Sequence, residues 1–570
     1  MTDHISDRAT WLKAFSLLFL LLLPLGFFRL GSHHLVSMEG IVADGARYMA
    51  GEHTADGEVS MLSRLMVPRL HGELYTYKPP GAYAMAWVST SLFGDSEFTV
   101  RAPFVASGMV MALAIFWLVG RRFDPWTGAL SGFASLTAVL TAQKLRLAEF
   151  DMPLAAGVGV AAALASTELS SEKPRAWRWQ LAYVALLFAF LDKGIPSLMF
   201  FAPGLFLAAF WLGTWKRLFG IAHLAGFATF CIGVGGWIWG AWTAEGAAAF
   251  AQPLNEADAK GLSWTLEAVG ATLLKPLIFL ACFFPWSLPL GAASRGKDGI
   301  LGGWGEVPGT YSPQTGLMRG AAAFIVAGLA TFMAVPATET RYLLPLAGPV
   351  AILAGGLVAQ NTPRARPRLQ TITRWTTLFF AIVLTLVVPT AWAVGQVEDA
   401  DAVQILIGAL LGSVLWWINL PMIRQKELPI TQAALSLAGL AFCLTGLQTQ
   451  LVDPNRAESR SLKSTAEVFM SYLEPDEDVW VQEVSAEFRH ASITYYFDRP
   501  LRSFQPGEPP PVGSAIILFS DEEPWKSGGP DFAHCPIEIT KRRSFEFLLG
   551  RVGECPQPHS AKPGSPTEDR

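Results

Sequence analysis

PFVASGMVMALAIFWLVGRR, residues 103–122, decides the class of this protein. From 103 to 119 it carries no charge, and it closes on Arg121 and Arg122. A helix of that length rises about 1.5 Å per residue and crosses most of a hydrocarbon layer about 30 Å thick, while the two arginines stop it at an aqueous boundary. Outward from this run the pattern repeats. Further apolar stretches cover 126–142, 153–168, 179–191, 195–212, 219–241, 272–292, 320–336, 343–360, 375–395, 403–420 and 430–448. An earlier one, 11–28, follows a mixed-charge start and lacks a small-residue cleavage site, so it reads as a retained helix rather than a removed signal. The chain is therefore expected to be an all-α polytopic membrane protein with about thirteen transmembrane helices.

Composition agrees. Of 570 residues, 51% are hydrophobic and only 16% charged, against about 25% charged in soluble domains. A formal charge of -4 offers nothing to a nucleic acid. The 20 Trp and 37 Phe suit membrane interfaces and lipid-facing helices.

Basic residues set the orientation. Arg121/Arg122, Lys173/Arg175/Arg178, Lys216/Arg217, Arg295/Lys297, Arg364/Arg366/Arg368/Arg374 and Arg424/Lys426 fall at every second connection, which makes those loops cytoplasmic. The N-terminus, with Arg8 and Lys13, lies on the same side, and an odd number of spans puts the chain after about 449 outside. Residues 1–450 then form the transmembrane part, with amphipathic helices expected in the long external loop 29–101. Residues 451–556 should form a small external α/β domain: a helix near 465–472, strands at 479–484, 492–497 and 515–519, and a mixed segment near 544–551. Residues 557–570, rich in Pro, Ser and charge, read as a disordered tail. Cys231, Cys282 and Cys443 sit in apolar runs and read as buried hydrophobes. A Cys535–Cys555 bridge would require an oxidising compartment.

The external side nevertheless holds Arg47, Arg64, Arg69, Lys78, Arg101, Lys144, Arg146, Lys193 and Arg341, several tight against helix ends. Charges at a membrane edge are costly unless they face a cavity or one another, so this exception points to function. In 67–80, VPRLHGELYTYKPP, an Arg, a His and a Lys precede a rigid Pro-Pro, a cationic turn suited to a phosphate; a solvated loop with a snorkelling Lys is the plain alternative. In 144–153, KLRLAEFDMP, Asp151 stands before Met152-Pro153 at the mouth of a span, where a helix cap is the alternative. Lys193-Gly194 sits between two spans with almost no loop, and either an anionic ligand or its neighbour Asp192 could partner it. Arg341-Tyr342 lies in an equally tight turn before 343–345, LLP, with an interfacial anchor as the alternative.

The order Glu39, Arg47, VPRLHGELYTYKPP, SEFTVRAP, RLAEFDMP, KG and RYLLP, spread over residues 37–345, resembles the aminoarabinose transferase and protein O-mannosyltransferase (PMT) superfamily of GT-C glycosyltransferases. That resemblance implies a GT-C fold. It also implies transfer of a sugar from a polyprenyl-phosphate donor to a lipid, glycan or protein hydroxyl or phosphate, lipopolysaccharide included, on the periplasmic face of a bacterial inner membrane. Asp151 matches the family's acidic residue, Lys78 the lysine of KPP, Lys193 that of KG, and Arg341-Tyr342 the basic residue and Tyr before L-x-P. Two positions depart from the pattern. Met38-Glu39 stands where the family has Asp-Glu, and Tyr77 where the aminoarabinose branch has Glu.

The expected roles follow from chemistry. Asp151 and Glu39 handle the acceptor as catalytic carboxylates. Lys78, Arg69, Lys193, Arg341 and Tyr342 hold the donor phosphate, with Arg47, Arg146 and His71 in support. Displacement with inversion is expected from a monomer. No cofactor is required, and neither His71 nor His33/His34 shows the spacing of a divalent-metal site. A lipid-linked-sugar flippase or a transporter is the alternative; a transporter should place its ionisable residues near the bilayer midplane.

Overall fold

The computed structural model describes residues 2–52, 59–70, 73–252, 266–292, 300, 306, 309–335, 339–359, 370–382, 413, 414, 416, 417, 430–475, 477–482, 492–497, 499, 501–504, 508–520, 534–542 and 545–553. His71, Cys555, most of the expected spans 375–395 and 403–420, and the tail 557–570 lie outside the described residues.

In chain order the helices are α1 (Thr2–Phe27), α2 (Met38–Ala50), α3 (Met61–Met66), α4 (Gly81–Phe93), α5 (Glu97–Gly120), α6 (Pro125–Thr137), α7 (Val139–Leu145), α8 (Asp151–Leu169), α9 (Ala176–Lys193), α10 (Pro196–Trp211), α11 (Ile221–Glu245), α12 (Leu266–Cys282), α13 (Pro313–Ala334), α14 (Ala347–Ala359) and α15 (Ile430–Leu447). Among the described residues, six stretches are long and apolar enough to cross a membrane: Arg8–Phe27, Glu97–Gly120, Asp151–Leu169, Ile221–Phe250, Pro313–Ala334 and Thr340–Ala359. This is a multi-pass membrane protein. Ile232 and Trp239 of α11 are 74% and 72% exposed, as side chains that face lipid are.

Caps explain where several helices start. Ser96 opens α5 with a capping box: its hydroxyl accepts from the Thr99 amide, and the Ser96 amide donates to the Thr99 hydroxyl. Asp124 accepts from the Trp126 and Thr127 amides ahead of Pro125, the first residue of α6. At the centre, Ala155, Ala161, Ala163 and Ala165 of α8 are fully buried, and these small side chains let α5, α9, α10 and α13 approach closely.

One expected span is broken. Residues 126–142 form two helices, because Ala138 adopts an extended backbone (φ -72°, ψ 149°). Neighbouring groups compensate the interrupted ladder: the Val139 amide donates to the Phe284 carbonyl at 3.0 Å, and Trp286 Nε1 donates to the Thr137 hydroxyl at 3.1 Å. As a result α7 and the loop after it stand apart from α6, with Lys144 at their junction.

After α15 come α16 (Asp453–Arg460) and α17 (Lys463–Met470), then a five-stranded sheet with the order β4-β3-β5-β7-β6. Its strands are β3 (Val479–Gln482), β4 (Leu501–Phe504), β5 (Ala515–Ser520), β6 (His534–Arg542) and β7 (Phe545–Val552). A two-stranded hairpin, β1 (Arg69–Leu70) with β2 (Glu73–Leu74), precedes them in the chain. β3 runs parallel to β4 and β5, whereas β7 is antiparallel to β5 and β6. Val479, Val481, Ile517 and Leu549 bury one face of the sheet against Ala466 and Phe469 of α17. The expected strand at 492–497 is instead the short helix α18 (Ser492–Tyr495). Its alternating aromatics suit a strand locally, but Ile493 and Phe497 are drawn into the core while Tyr495 and Tyr496 turn toward α2 and the chain before it. Cys535 is disulfide-bonded.

Candidate active site

Asp151 is the first residue of α8, and its side chain does not cap the helix. The carboxylate turns instead to two ammonium groups. Lys193, the last residue of α9, pairs with Oδ1, and Lys144, in the last turn of α7, lies 3.7 Å from Oδ2. Lys144 also pairs with Glu149. The result is a row of alternating charge, Glu149, Lys144, Asp151 and Lys193, in which the exposure of no side chain exceeds 14%. Burial alone would lower the basicity of Lys144, but Glu149 and Asp151 outweigh it and hold the ammonium charged.

Tyr342 and Arg341 border this row on the short helix Thr340–Leu346. The Lys193 ammonium sits 5.7 Å from the Tyr342 ring centroid. Arg341, 35% exposed on its side chain, is weakly paired with Glu339 at 3.8 Å, and its charge also acts on Asp151 and Glu149. Arg341 is the most exposed of the cations around Asp151, so it is the one placed to meet an entering anion first.

The KPP turn reaches the end of the same helix, α9. Pro79 packs on Gly194, where a left-handed backbone (φ +76°) favours glycine. Gly81 lies so close to the end of α9 that a Cβ there would come within 2.6 Å of the Leu191 carbonyl. Two motifs more than one hundred residues apart are thereby joined, with Lys78 beside the turn that carries Lys193.

Other expected site residues lie elsewhere. Glu39 has no solvent exposure, and Arg101 grips it with Nε to Oε1 at 2.7 Å and Nη2 to Oε2 at 2.9 Å. The Val36 amide donates to Oε2 and the Ala148 amide to Oε1. Burial would raise the Glu39 carboxyl, yet Arg101 and these two amides hold it below the usual range. A carboxylate so fully occupied has no lone pair oriented toward an acceptor, so Glu39 braces the 146–151 loop through Ala148. Arg101, which nothing in the sequence marked as Glu39's partner, also donates to the carbonyls of Leu30, His33 and His34.

Arg69 is engaged by Glu245 at 2.9 Å, and Glu245 also accepts from Ser63. Arg47 pairs with Asp95 at 2.7 Å and stacks 4.2 Å over Tyr495. Arg146 is buried, its Nε and Nη1 without a partner among the described residues, and burial lowers it to about 10 even though Asp453 acts the other way. Residues that sequence reasoning passed over are Glu149 and Lys144 as members of the row. Their signal was the E-x-D spacing at 149–151 and a lysine five residues before Glu149. Among the described residues no group of three His, Cys, Asp or Glu side chains is arranged to hold a metal ion.

Residues 77–239 match the family model described as dolichyl-phosphate-mannose-protein mannosyltransferase. Undecaprenyl phosphate-alpha-4-amino-4-deoxy-L-arabinose arabinosyl transferase 1 of Sodalis glossinidius (strain morsitans) is 28% identical over 200 residues, 34% of this chain and 35% of that protein. Transferase 2 of the same organism is 30% identical over 138 residues, 23% of this chain and 25% of that one. The matched segments thus span about a third or less of the length of these curated relatives. Crystal structures of ArnT from Cupriavidus metallidurans, in the apo state and bound to undecaprenyl phosphate, each superpose with a TM-score of 0.67 at 16% identity, covering 95% of this chain and 99% of theirs. The chain has that polytopic GT-C fold, and within the resemblance read from residues 37–345 the family model matches residues 77–239.

Proposed function

From the GT-C fold and the row Glu149, Lys144, Asp151, Lys193, we propose that this protein is a membrane glycosyltransferase. It moves a sugar from a polyprenyl-phosphate-linked donor to a lipid, glycan or protein acceptor, with inversion. The row is the observation that carries the reading. It supplies cations for a leaving phosphate and a carboxylate for an attacking hydroxyl within one buried site. Undecaprenyl phosphate is what the structurally similar ArnT binds, and it is the donor carrier proposed for this chain.

The donor phosphate competes with Asp151 for Lys193 and Lys144, helped by Arg341 and Lys78, and releases the carboxylate. Asp151 then accepts the proton of an acceptor hydroxyl as the oxygen attacks the anomeric carbon from the face opposite the phosphate. The new carbon–oxygen bond forms as the old one breaks, and its electron pair leaves on the polyprenyl phosphate, stabilised by the lysines. Tyr342 keeps the Lys193 ammonium directed inward. Glu39 acts only by bracing the loop. A flippase would need the cations but has no use for a carboxylate held between them.

In this reading residues 1–450 form the catalytic part in a bacterial inner membrane, with the N-terminus cytoplasmic and the row on the periplasmic side, and residues 451–556 form a periplasmic unit. Mass spectrometry of envelope lipids and glycans from cells with and without the protein tests it. A sugar-modified species that disappears on deletion and returns with the wild-type protein is the expected result. Identical profiles, together with no sugar transfer by the purified protein in vesicles, would reject it.

A further inference from the structure

The C-terminal segment touches the residues before α5 through both side-chain and backbone groups. Tyr496 presents its hydroxyl to the Leu35 amide, which donates at 2.6 Å. His34 Nδ1 shares a hydrogen with the Ser461 hydroxyl at 2.8 Å. Arg47 Nη1 donates to the Tyr495 carbonyl at 2.7 Å, and the Tyr495 hydroxyl donates to Asp95 at 3.1 Å. Lys463 lies 5.8 Å from the centroid of the Tyr496 ring.

Two of these contacts, Tyr496 with Leu35 and Ser461 with His34, fall on one short piece of chain. Residues 30–39 are held from the other side by Arg101 through three carbonyls, and they end in Glu39, which accepts from the Ala148 amide at 3.0 Å. Ala148 lies directly before Glu149 and three residues before Asp151. An unbroken line of hydrogen bonds and short covalent segments therefore runs from Tyr496 through Leu35 and Glu39 to the row proposed as the active site. The Tyr495–Asp95 pair is a plain tether, side chain to side chain; Tyr496 instead ends on the Leu35 amide. Here the contact fixes the path of a loop whose far end sets the backbone beside the reacting carboxylate, where a shift of about 1 Å can cost about 100-fold in rate.

We propose that Tyr496 is a positioning residue: through the Leu35 amide and Glu39 it holds the 146–151 loop in register, so that the C-terminal segment sets turnover from outside the site. This rests on the glycosyltransferase reading above for its effect on rate, though not for the structural coupling. The test perturbs one end of this line and reads the other.

The experiment uses the full chain in lipid nanodiscs and compares wild type with Tyr496→Phe, which keeps the ring and removes the hydroxyl, and with Ser461→Ala. Hydrogen exchange followed by mass spectrometry should show faster exchange at 30–39 and at 146–151 in Tyr496→Phe, with an unchanged melting temperature. The kcat for sugar transfer should fall about tenfold while the donor KM stays within about twofold, since an interaction that aligns the transition state is lost and uniform binding is not. Ser461→Ala should move both readouts in the same direction by less, and it decides the matter if Tyr496→Phe fails to fold. Unchanged exchange at 146–151 overturns the proposal, as does unchanged kcat in an active preparation. If the wild-type protein transfers no sugar, the functional reading fails and the exchange measurement alone decides this one.

Discussion

Lys193 pairs with Asp151, forty-two residues away in the chain, and not with its sequence neighbour Asp192. The choice is made by helix geometry. Lys193 closes α9 and Asp151 opens α8, and these two helices pack against one another along their length. Asp151→Asn keeps the shape of the side chain and removes its basicity, so kcat should fall by about 10²- to 10⁴-fold. Comparable membrane yield and melting temperature would show that the loss is chemical. Transfer within about threefold of wild type would remove Asp151 from the reaction.

Lys193→Met should lower kcat/KM for the donor by about 10²-fold, the scale on which one preorganised charge acts at a leaving group. Lys193→Arg keeps the charge on a different fork and should recover part of it. Steady-state kinetics with donor varied reads both. Equal loss in Met and Arg variants would mean that the exact ammonium geometry, rather than charge, is what the site needs.

Glu39→Gln leaves the buried Arg101 guanidinium without its counter-charge and should destabilise the fold by about 3–5 kcal/mol. Combining it with Arg101→Met removes the stranded charge and should recover a substantial part of that loss, read as the melting temperature in detergent. A double variant no more stable than Glu39→Gln alone would contradict this view of the pair.

Asp453 gives a pH prediction. Burial pushes its carboxyl up to about 6, although Gln448 and Arg146 pull the other way. The folded form therefore holds its proton more tightly than the unfolded chain, whose aspartates titrate near 3.9. Its contribution to stability is complete below about pH 4 and is lost as pH rises to about 6, a change of roughly 2–3 kcal/mol. Asp453→Asn, which mimics the neutral acid, should raise the melting temperature at pH 7.5 and leave it nearly unchanged at pH 4.5. Equal shifts at both pH values would refute the assignment.

How much of this was legible in the sequence depended on the distance over which each feature is decided. The apolar runs and the basic loop ends are local and revealed a multi-pass protein directly. The residues Asp151, Lys193 and Arg341-Tyr342 were legible because charge at a membrane edge is rare enough to stand out. Partners were not legible. Asp192 and a cap at Met152-Pro153 were reasonable local partners, and both were displaced by contacts that exist only after α8 and α9 pack. The break at Ala138 could not be read because no proline or glycine marks it; a carbonyl from Phe284 makes it affordable. In the same way 492–497 has the alternation of a strand, and only the docking of Tyr495 and Tyr496 turns it into a helix.

The grip of Arg101 on Glu39 also bears on how the protein is made. Glu39 precedes Arg101 by 62 residues, so the counter-ion is synthesised before the helix that needs it. An arginine within the first turns of a nascent membrane helix is costly in lipid while alone. Biogenesis can spare α5 that cost only if the 30–39 segment is already waiting at the membrane surface when Arg101 leaves the insertion machinery. Segment 30–39 then acts as a chaperone encoded within the chain, and a Glu39 variant should show its defect as misinserted or degraded newborn protein before any effect on the mature protein is seen.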